Sequence, residues 1–240
     1  MAITTNQIQA AATSIGVALS EAQAGMLVRY RDLLIEWNER FNLTAITDDA
    51  SILARHFMDS LTVLHALPGG RGLSMLDVGS GAGLPGIVLK IARPDLDVTL
   101  MDGTGKRVTF CAAVIDDLKL AGIRAIKDRA EEAAHQRPHR AQYDIVIARA
   151  LAPMPTLVEY LLPFARMGGL CIAMKGSSAQ EEADQASKAI HLLGGVLVGV
   201  EPVKLPDVPD ERALVIVKKV RPSPSLYPRA AGKPRTAPLR

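Results

Sequence analysis

The sequence predicts an α/β fold in which five parallel strands are closed by a C-terminal antiparallel hairpin, with a helical extension in front of the sheet. Apolar runs suited to strands recur at residues 74–78, 97–102, 123–127, 143–148, 168–174, 195–203 and 212–220. Helical stretches lie between the first runs, at about 84–93, 105–121, 129–135, 153–166 and 178–193. This alternation calls for parallel strands that are covered on both faces. The last two runs are joined by the short, proline-containing segment 205–211, which has no room for a crossover helix, so we expect a hairpin there.

The chain has the size of one large domain with additions at both ends. Its 240 residues, 48% hydrophobic and 22% charged, can bury a full core. We divide it into a helical extension (1–70), a main domain (71–220) and a basic, proline-rich tail (221–240). Cys111 and Cys171 lack metal-ligand spacing, so we predict buried thiols and no metal site. Because we find neither a membrane-spanning apolar run nor a signal peptide, we expect a cytoplasmic protein without membrane contact.

The N-terminal extension is predicted to be helical over residues 5–66. An apolar stripe suited to docking on the main domain recurs at three- and four-residue spacing, formed by Leu27, Tyr30, Leu33, Leu34 and Trp37. The segment 42–48 interrupts the helical pattern, and Thr47 or Asp48 can cap the helix that follows. His56 lies on that next helix, where a lone histidine is more often structural than catalytic.

A glycine-rich turn follows the first strand of the sheet. Asp77 lies within that strand, and glycines stand at alternate positions after it, at Gly79, Gly81 and Gly83. Glycine lets the backbone turn and approach a ligand without a Cβ clash. Asp102 ends the second strand, where a carboxylate can accept hydrogen bonds from both ribose hydroxyls of a nucleoside. The segment therefore predicts a site for a nucleoside cofactor.

The register of the glycines separates two cofactors that fit this turn. A dinucleotide-binding turn begins its Gly-x-Gly-x-x-Gly directly after the strand, but here that spacing occurs at Gly81, Gly83 and Gly86, two residues late. The pattern that begins on time, acid-x-Gly-x-Gly-x-Gly, is typical of S-adenosylmethionine-dependent methyltransferases. We therefore favour S-adenosylmethionine over NAD, and a glycine turn without any ligand is the third interpretation.

The C-terminal tail is strongly basic. From residue 218 onward the chain has seven cations and no acid, namely Lys218, Lys219, Arg221, Arg229, Lys233, Arg235 and Arg240. Several prolines exclude a helix or a central strand from this segment. An extended basic strap suits a polyanion such as RNA, so we expect these cations to contact RNA phosphates and to have little influence on cofactor affinity. The alternative is a solvated tail without a partner.

Further motifs stand in a fixed order along the chain. They are Trp37-Asn38-Glu39-Arg40-Phe41-Asn42-Leu43-Thr44, His56-x-x-Asp59-Ser60-Leu61, the glycine turn, Arg129-Ala130-Glu131, Ala148-Arg149-Ala150, Lys175-Gly176, Glu211-Arg212 and Tyr227-Pro228-Arg229. Over nearly its whole length the chain resembles the RsmG (GidB) family of 16S ribosomal RNA guanine-N7 methyltransferases. The resemblance implies a Rossmann-like class I methyltransferase sheet, S-adenosylmethionine as cofactor, and 16S rRNA or the small ribosomal subunit as partner. It implies no obligate protein partner.

The resemblance also implies a role for individual residues. Gly79 and Leu84 would bracket the methionine part of the cofactor, and Asp102 would hold the ribose. Gly103 and Thr104 would follow as further contacts, although the chain departs from the family pattern at these two positions. Ala130 and Glu131 would lie at the adenine. Arg149 would lie near the methionine carboxylate or the reacting centre.

The target atom determines what catalysis requires. Guanine N7 has a free lone pair at neutral pH, so no residue is expected to act as a catalytic acid or base, and Arg149 is the nearest candidate for the reacting centre. Alignment of sulfur, methyl and N7 would supply the rate enhancement. In A-form RNA, N7 lies in a deep and narrow groove, so the guanine should be unpaired or extruded. Two alternatives stay open: an S-adenosylmethionine enzyme acting on a small molecule or protein, and a non-catalytic nucleotide-binding protein.

Overall fold

The computed structural model describes residues 3–206 and 208–239 and contains the predicted sheet. Its strands are β1 (Ser74–Val78), β2 (Asp97–Asp102), β3 (Ile123–Lys127), β4 (Tyr143–Arg149), β5 (Ala165–Lys175), β6 (Gly195–Val203) and β7 (Arg212–Lys219). They are arranged in the order β3-β2-β1-β4-β5-β7-β6. Strands β1 to β5 are parallel, and β7 pairs antiparallel with both β5 and β6, which confirms the predicted fold class. The strand order reverses between β1 and β4, where a parallel sheet opens a crevice at its carboxyl edge.

Helices cover both faces of the sheet. Those of the main domain are α5 (Gly86–Ala92), α6 (Gly105–Asp117), α7 (Ala130–Ala133), α8 (Met154–Leu161), α9 (Ala179–Gln185) and α10 (Ser187–Leu192). The helix expected over 153–166 ends early, at Leu161, because Pro163 follows and β5 already begins at Ala165. The stretch expected as one helix over 178–193 is two helices that meet at Ala186.

The N-terminal extension begins with α1 (Thr5–Ser14) and α2 (Glu21–Phe41), and each has a capping box at its start. Helix α2 ends where Asn42 adopts a left-handed conformation. Asp48 then caps the next segment by accepting the Ser51 N–H at 2.9 Å, so Asp48 rather than Thr47 is the cap. That segment runs through α3 (Asp49–Ser51), a π-helical stretch (Ile52–Met58), α4 (Asp59–Leu61) and a 3-10 turn (Thr62–Ala66).

The apolar stripe of α2 is part of the core, as predicted. Leu27, Tyr30, Leu33 and Leu34 are buried, and Trp37 is half-buried. They belong to one hydrophobic cluster together with α5, α6 and one face of the sheet, whereas α8, α9 and α10 pack on the other face. The extension thus covers one face of the sheet, and the boundaries predicted at residues 70 and 220 stay a prediction.

The C-terminal tail is folded against the main domain. The Arg140 guanidinium donates hydrogen bonds to the carbonyls of Ser223, Pro224 and Tyr227, at 2.8 to 3.1 Å. The tail also contains a short helix, α11 (Lys233–Thr236), so the prediction that it forms no helix is wrong. Pro234 is tolerated there because it lies in the first turn, where its missing N–H removes no helical hydrogen bond.

Two of the tail cations are used inside the protein. Lys219 is buried and donates to the carbonyls of Leu162 at 2.8 Å and Leu193 at 3.1 Å. Arg229 forms an ion pair with Glu159, whose side chain is 0% exposed. Their interpretation as contacts to RNA phosphates is therefore wrong, and Arg240 lies outside the described residues. In the described part of the chain, no helix is long and apolar enough to cross a membrane.

Candidate functional site

The glycine turn is held against the second strand by backbone hydrogen bonds. The N–H groups of Gly79 and Ser80 both donate to the carbonyl of Met101, at 2.8 and 3.1 Å. Gly79 has φ +73°, and a Cβ there would lie 2.7 Å from Cδ1 of Leu151. The position therefore favours glycine for its left-handed backbone conformation, whereas the end of the Leu151 side chain could move aside for a Cβ.

Asp77 fixes the turn from beneath. Its Oδ2 accepts the N–H of Gly86 at 2.9 Å, which ties the end of the glycine segment to β1. The carboxyl group is fully buried, and this burial raises the pKa of Asp77 to about 7, although the Gly86 hydrogen bond and the charge of Arg149 oppose the shift. Asp77 is not among the residues that line either of the cavities described below, so it supports the turn rather than a ligand.

A first cavity of about 320 Å³ opens at the carboxyl ends of β1 to β4. Six predicted cofactor residues line it: Gly79, Asp102, Gly103, Thr104, Ala130 and Glu131. Asp102 is positioned by the backbone, because its Oδ2 accepts the N–H of Gly81 at 3.0 Å and its Oδ1 accepts that of Thr104 at 2.8 Å. Arg107 lies 3.4 Å from Oδ2. A carboxylate has about four lone-pair sites. The two backbone N–H groups use two of them and the 3.4 Å contact of Arg107 is a weak one, so Asp102 can still accept both hydroxyls of a ribose.

Sequence reasoning missed several residues of the first cavity. They are Asp128, Leu151, Ala152, Tyr160 and Arg235. Burial and the neighbouring Glu131 raise the pKa of Tyr160 to about 12, so its hydroxyl keeps its proton at neutral pH. Tyr160 comes from α8 and Arg235 from α11, both far along the chain from the glycine turn, and no local motif marks them.

A second cavity, of about 390 Å³, lies beside the first at the ends of β4 and β5. Arg149 and Ala150 line this cavity, whereas the next two residues of the chain line the first one. Asp59 Oδ2 is 3.4 Å from Arg149 Nη1, and its Oδ1 is 3.8 Å from Arg212 Nε. Arg149 also donates to the carbonyl of Arg55 at 2.9 Å. The extension and the main domain therefore build this cavity together.

His56 lines the second cavity as a neutral side chain. Its Nε2 lies 3.0 Å from the hydroxyl of Thr44, and its Nδ1 is buried without a hydrogen-bond partner in the described structure. Burial and the charge of Arg149 lower the pKa of His56 to about 4. The imidazole is therefore uncharged throughout the neutral range.

Two predicted residues lie away from the first cavity. Arg149 lines the second cavity instead, so its position near the methionine carboxylate or the reacting centre stays a prediction. The Leu84 side chain is buried in the hydrophobic core and lines neither cavity, so its contact with the methionine part stays a prediction. Asp59, Lys175 and Arg212 stand in the motifs quoted above, but the sequence assigns no role to them. All three line the second cavity.

The residues of the first cavity fit a nucleoside cofactor. Asp102 suits the two ribose hydroxyls, and the backbone and carboxylate of residues 130 and 131 suit the edge of an adenine. Three acids, Asp102, Asp128 and Glu131, line the same cavity together with two arginines, Arg129 and Arg235.

Comparison with known proteins agrees with this chemistry. The family model "rRNA small subunit methyltransferase G" matches residues 23–212. A protein of Desulforamulus reducens named ribosomal RNA small subunit methyltransferase G is 45% identical over 232 residues, which is 97% of each chain. A protein of the same name from Roseiflexus castenholzii is 46% identical over 229 residues, 95% of this chain and 97% of its own. Among solved structures, a SAM-dependent methyltransferase from Aquifex aeolicus superposes with a TM-score of 0.55 at 17% identity, covering 72% of this chain and 95% of its own, which supports the fold alone.

Proposed function

The chain belongs to the rRNA small subunit methyltransferase G family, and we propose that it transfers the methyl group of S-adenosylmethionine to N7 of a guanine in 16S ribosomal RNA. It is an S-adenosylmethionine-dependent methyltransferase. One structural observation supports the assignment of the site: two neighbouring cavities lie at the carboxyl edge of the sheet. The residues of the first suit the hydrogen-bonding groups of a nucleoside, and the second is lined by several cations. An enzyme with this substrate would work in the cytoplasm, on the 16S rRNA or the small subunit that contains it.

The first cavity is assigned to the adenosine part of the cofactor. Asp102 would accept hydrogen bonds from the ribose hydroxyls, and its position is set in advance by the N–H groups of Gly81 and Thr104. Ala130 and Glu131 would contact the adenine. Because these groups are already held in place, they lose little conformational freedom when the cofactor binds.

The second cavity is assigned to the target guanine. Its lining includes four cations, Arg55, Arg149, Lys175 and Arg212, each of which also pairs with a carboxylate. Arg55, with a side chain that is 39% exposed, is the best placed of them to meet a phosphate beside an extruded nucleotide. Asp59 is the carboxylate of this lining, and it can accept hydrogen bonds from N1–H and the amino group of guanine. Holding guanine by this edge leaves N7 free, whereas an arginine fork on O6 and N7 would cover the reacting atom.

The chemistry requires alignment rather than proton transfer. S-adenosylmethionine supplies a methyl group on a positively charged sulfur, and the N7 lone pair of guanine needs no deprotonation before it attacks. His56, the histidine that lines the guanine cavity, has a pKa of about 4 and is not poised as a base at neutral pH. Well-oriented reactants can gain up to roughly 7 to 11 kcal/mol from positioning.

The proposal is tested by following the methyl group. Protein, S-adenosylmethionine labelled in its methyl group, and either naked 16S rRNA or small subunits from cells that lack the enzyme are combined. The RNA is then digested to nucleosides. We expect the label in N7-methylguanosine. Label in another nucleoside, or in a protein or small molecule instead of RNA, would contradict the proposal.

Asp59→Asn is the matched variant for the guanine cavity. The amide has the same shape, but it replaces one acceptor oxygen with an NH₂ donor that opposes guanine N1–H. We expect slower methylation of RNA with near wild-type affinity for S-adenosylmethionine. Unchanged methylation would remove Asp59 from the proposed guanine contacts without affecting the assignment of the enzyme.

A further inference from the structure

The tail segment 221–239 reaches the cofactor cavity after it crosses the main domain. Its first half is anchored by Arg140 and by the pair of Arg229 with the buried Glu159, and His135 Nε2 lies 2.7 Å from the carbonyl of Pro228. These contacts bring the second half of the tail to α7 and α8, the two helices that border the first cavity.

The second half of the tail is fixed at the rim of that cavity. The N–H of Gly232 donates to Oε1 of Glu131 at 3.2 Å, and the hydroxyl of Thr156 donates to the carbonyl of Pro234 at 3.0 Å. Pro234 is buried, and the next residue, Arg235, lines the cavity itself. Helix α11 therefore contributes one residue, the exposed Arg235, to the rim of the first cavity, next to the residues assigned to adenine.

The charges of this wall suit one end of the cofactor. Gly232, three residues before Arg235, is hydrogen-bonded to Glu131, and Arg235 lines the cavity together with Glu131 and Tyr160, which puts its cation at the Glu131 end. A guanidinium near the positively charged sulfur would be repelled, whereas at the adenine end it can stack on the aromatic face and is balanced by Glu131. Because the guanidinium is planar, Arg235 can stack on the adenine ring better than the ammonium group of a lysine could.

We propose that Arg235 binds the adenosine part of S-adenosylmethionine and that the tail segment 221–239 holds it at the rim of the cofactor site. This inference rests on the assignment of the first cavity to adenosine. The sequence predicts that the tail binds RNA and has little influence on cofactor affinity. The proposal instead makes the tail a part of the cofactor site.

The test is calorimetric titration of S-adenosylmethionine into the unaltered chain and into Arg235→Ala. We expect binding to weaken about 2- to 30-fold, the range of a cation held over an aromatic face. Arg221→Ala is the matched control, since Arg221 is an exposed arginine of the same tail that donates to the carbonyl of His191 and does not line the cavity. We expect its affinity to stay within about twofold of the unaltered chain, below the smallest effect of the lost contact.

The ligand series locates the contact. Adenosine and S-adenosylhomocysteine share the adenosine part, so Arg235→Ala should weaken both by the same factor as S-adenosylmethionine. Unchanged affinity for all three ligands would overturn the proposal, and so would an equal loss in Arg221→Ala. Loss of RNA affinity without loss of cofactor affinity would also overturn it and would return Arg235 to the RNA surface.

Two further variants keep the result interpretable. If Arg235→Ala lowers the thermal unfolding midpoint of the unliganded protein, Arg235→Lys takes its place. It keeps the charge and the stem and should still weaken binding, so wild-type affinity in that variant would overturn the proposal. Asp102→Ala tests the cavity itself: if that variant binds the cofactor normally, the assignment of the cavity has failed. If it loses affinity while Arg235→Ala does not, only the inference about the tail has failed.

Discussion

Removing the Arg229 side chain should destabilise the protein strongly, because it leaves a buried carboxylate without its partner. Glu159 is 0% exposed, and the Arg229 guanidinium contacts its two oxygens at 2.9 Å (Nε to Oε1) and 2.6 Å (Nη2 to Oε2). In Arg229→Ala the backbone N–H of residue 229, at 2.8 Å from Oε1, is the contact that stays. Breaking a buried pair in this way costs about 3 to 5 kcal/mol.

The assay is urea unfolding followed by circular dichroism, with the free energy of unfolding extrapolated to water. Arg29→Ala is the control, because it breaks the Arg29–Asp117 pair, whose side chains are 48% and 32% exposed. An exposed pair of this kind contributes about 0.2 to 1 kcal/mol. The double variant Arg229→Met, Glu159→Leu should recover most of the loss, since it buries no charge. If Arg229→Ala loses no more stability than Arg29→Ala, the reasoning about the buried pair is refuted.

Four further outcomes follow from the site and the tail. Asp102→Ala should weaken S-adenosylmethionine binding by about 1.5 to 3 kcal/mol, the range of hydrogen bonds to a charged group, and calorimetry that shows unchanged affinity would contradict its role at the ribose. The single-turnover methylation rate should stay flat from about pH 6 to 8, because N7 needs no base and His56, with a pKa of about 4, stays neutral; a steep rise in that step would point to a missing proton transfer. The pKa of Asp77 is about 7 in the folded protein, against an ordinary value of 3.8, so the folded state binds one more proton than the unfolded state between these pH values. The stability should therefore fall relative to Asp77→Asn as the pH rises from about 4 to 7, and parallel stability curves for the two proteins would rule this out. Lys218 and Lys233 are exposed cations without a side-chain hydrogen bond or ion pair in the described structure. Replacing both with alanine should flatten the salt dependence of RNA binding by up to about 0.7 in log-log slope per lost contact. An unchanged slope would place the RNA surface elsewhere.

Much of the sheet could be predicted because its signals are local. A buried parallel strand is a continuous apolar run, and the runs at 74–78, 97–102 and 123–127 coincide with β1, β2 and β3. The hairpin was predictable from the length of its connection alone. Two wrong predictions have a local explanation. Pro163 ends α8 earlier than expected, and Pro234 is compatible with a helix because it lies in the first turn of α11.

The candidate site could be predicted only where its residues follow strands in the sequence. Gly79 follows β1, Asp102 is the last residue of β2 and Glu131 lies four residues after β3, so the parallel sheet brings them together at its carboxyl edge. Tyr160 and Arg235 reach the same cavity through the packing of α8 and α11. Neither helix contains a sequence motif that predicts its position beside the cavity. The basic composition of the tail pointed to an RNA contact instead. Charge composition could not distinguish a cation facing solvent from Arg229, which lies against a buried glutamate.

The pair of Glu159 and Arg229 also sets an order of events during synthesis. The two residues are 70 positions apart in the chain, so at about 5 to 20 residues per second the ribosome delivers the arginine roughly 4 to 14 s after the glutamate. During that interval the Glu159 carboxylate of helix α8 has no arginine partner with which it could be buried. A chain released before Arg229 never completes the pair, and it would present an incompletely packed helix to the proteases that remove unfinished proteins.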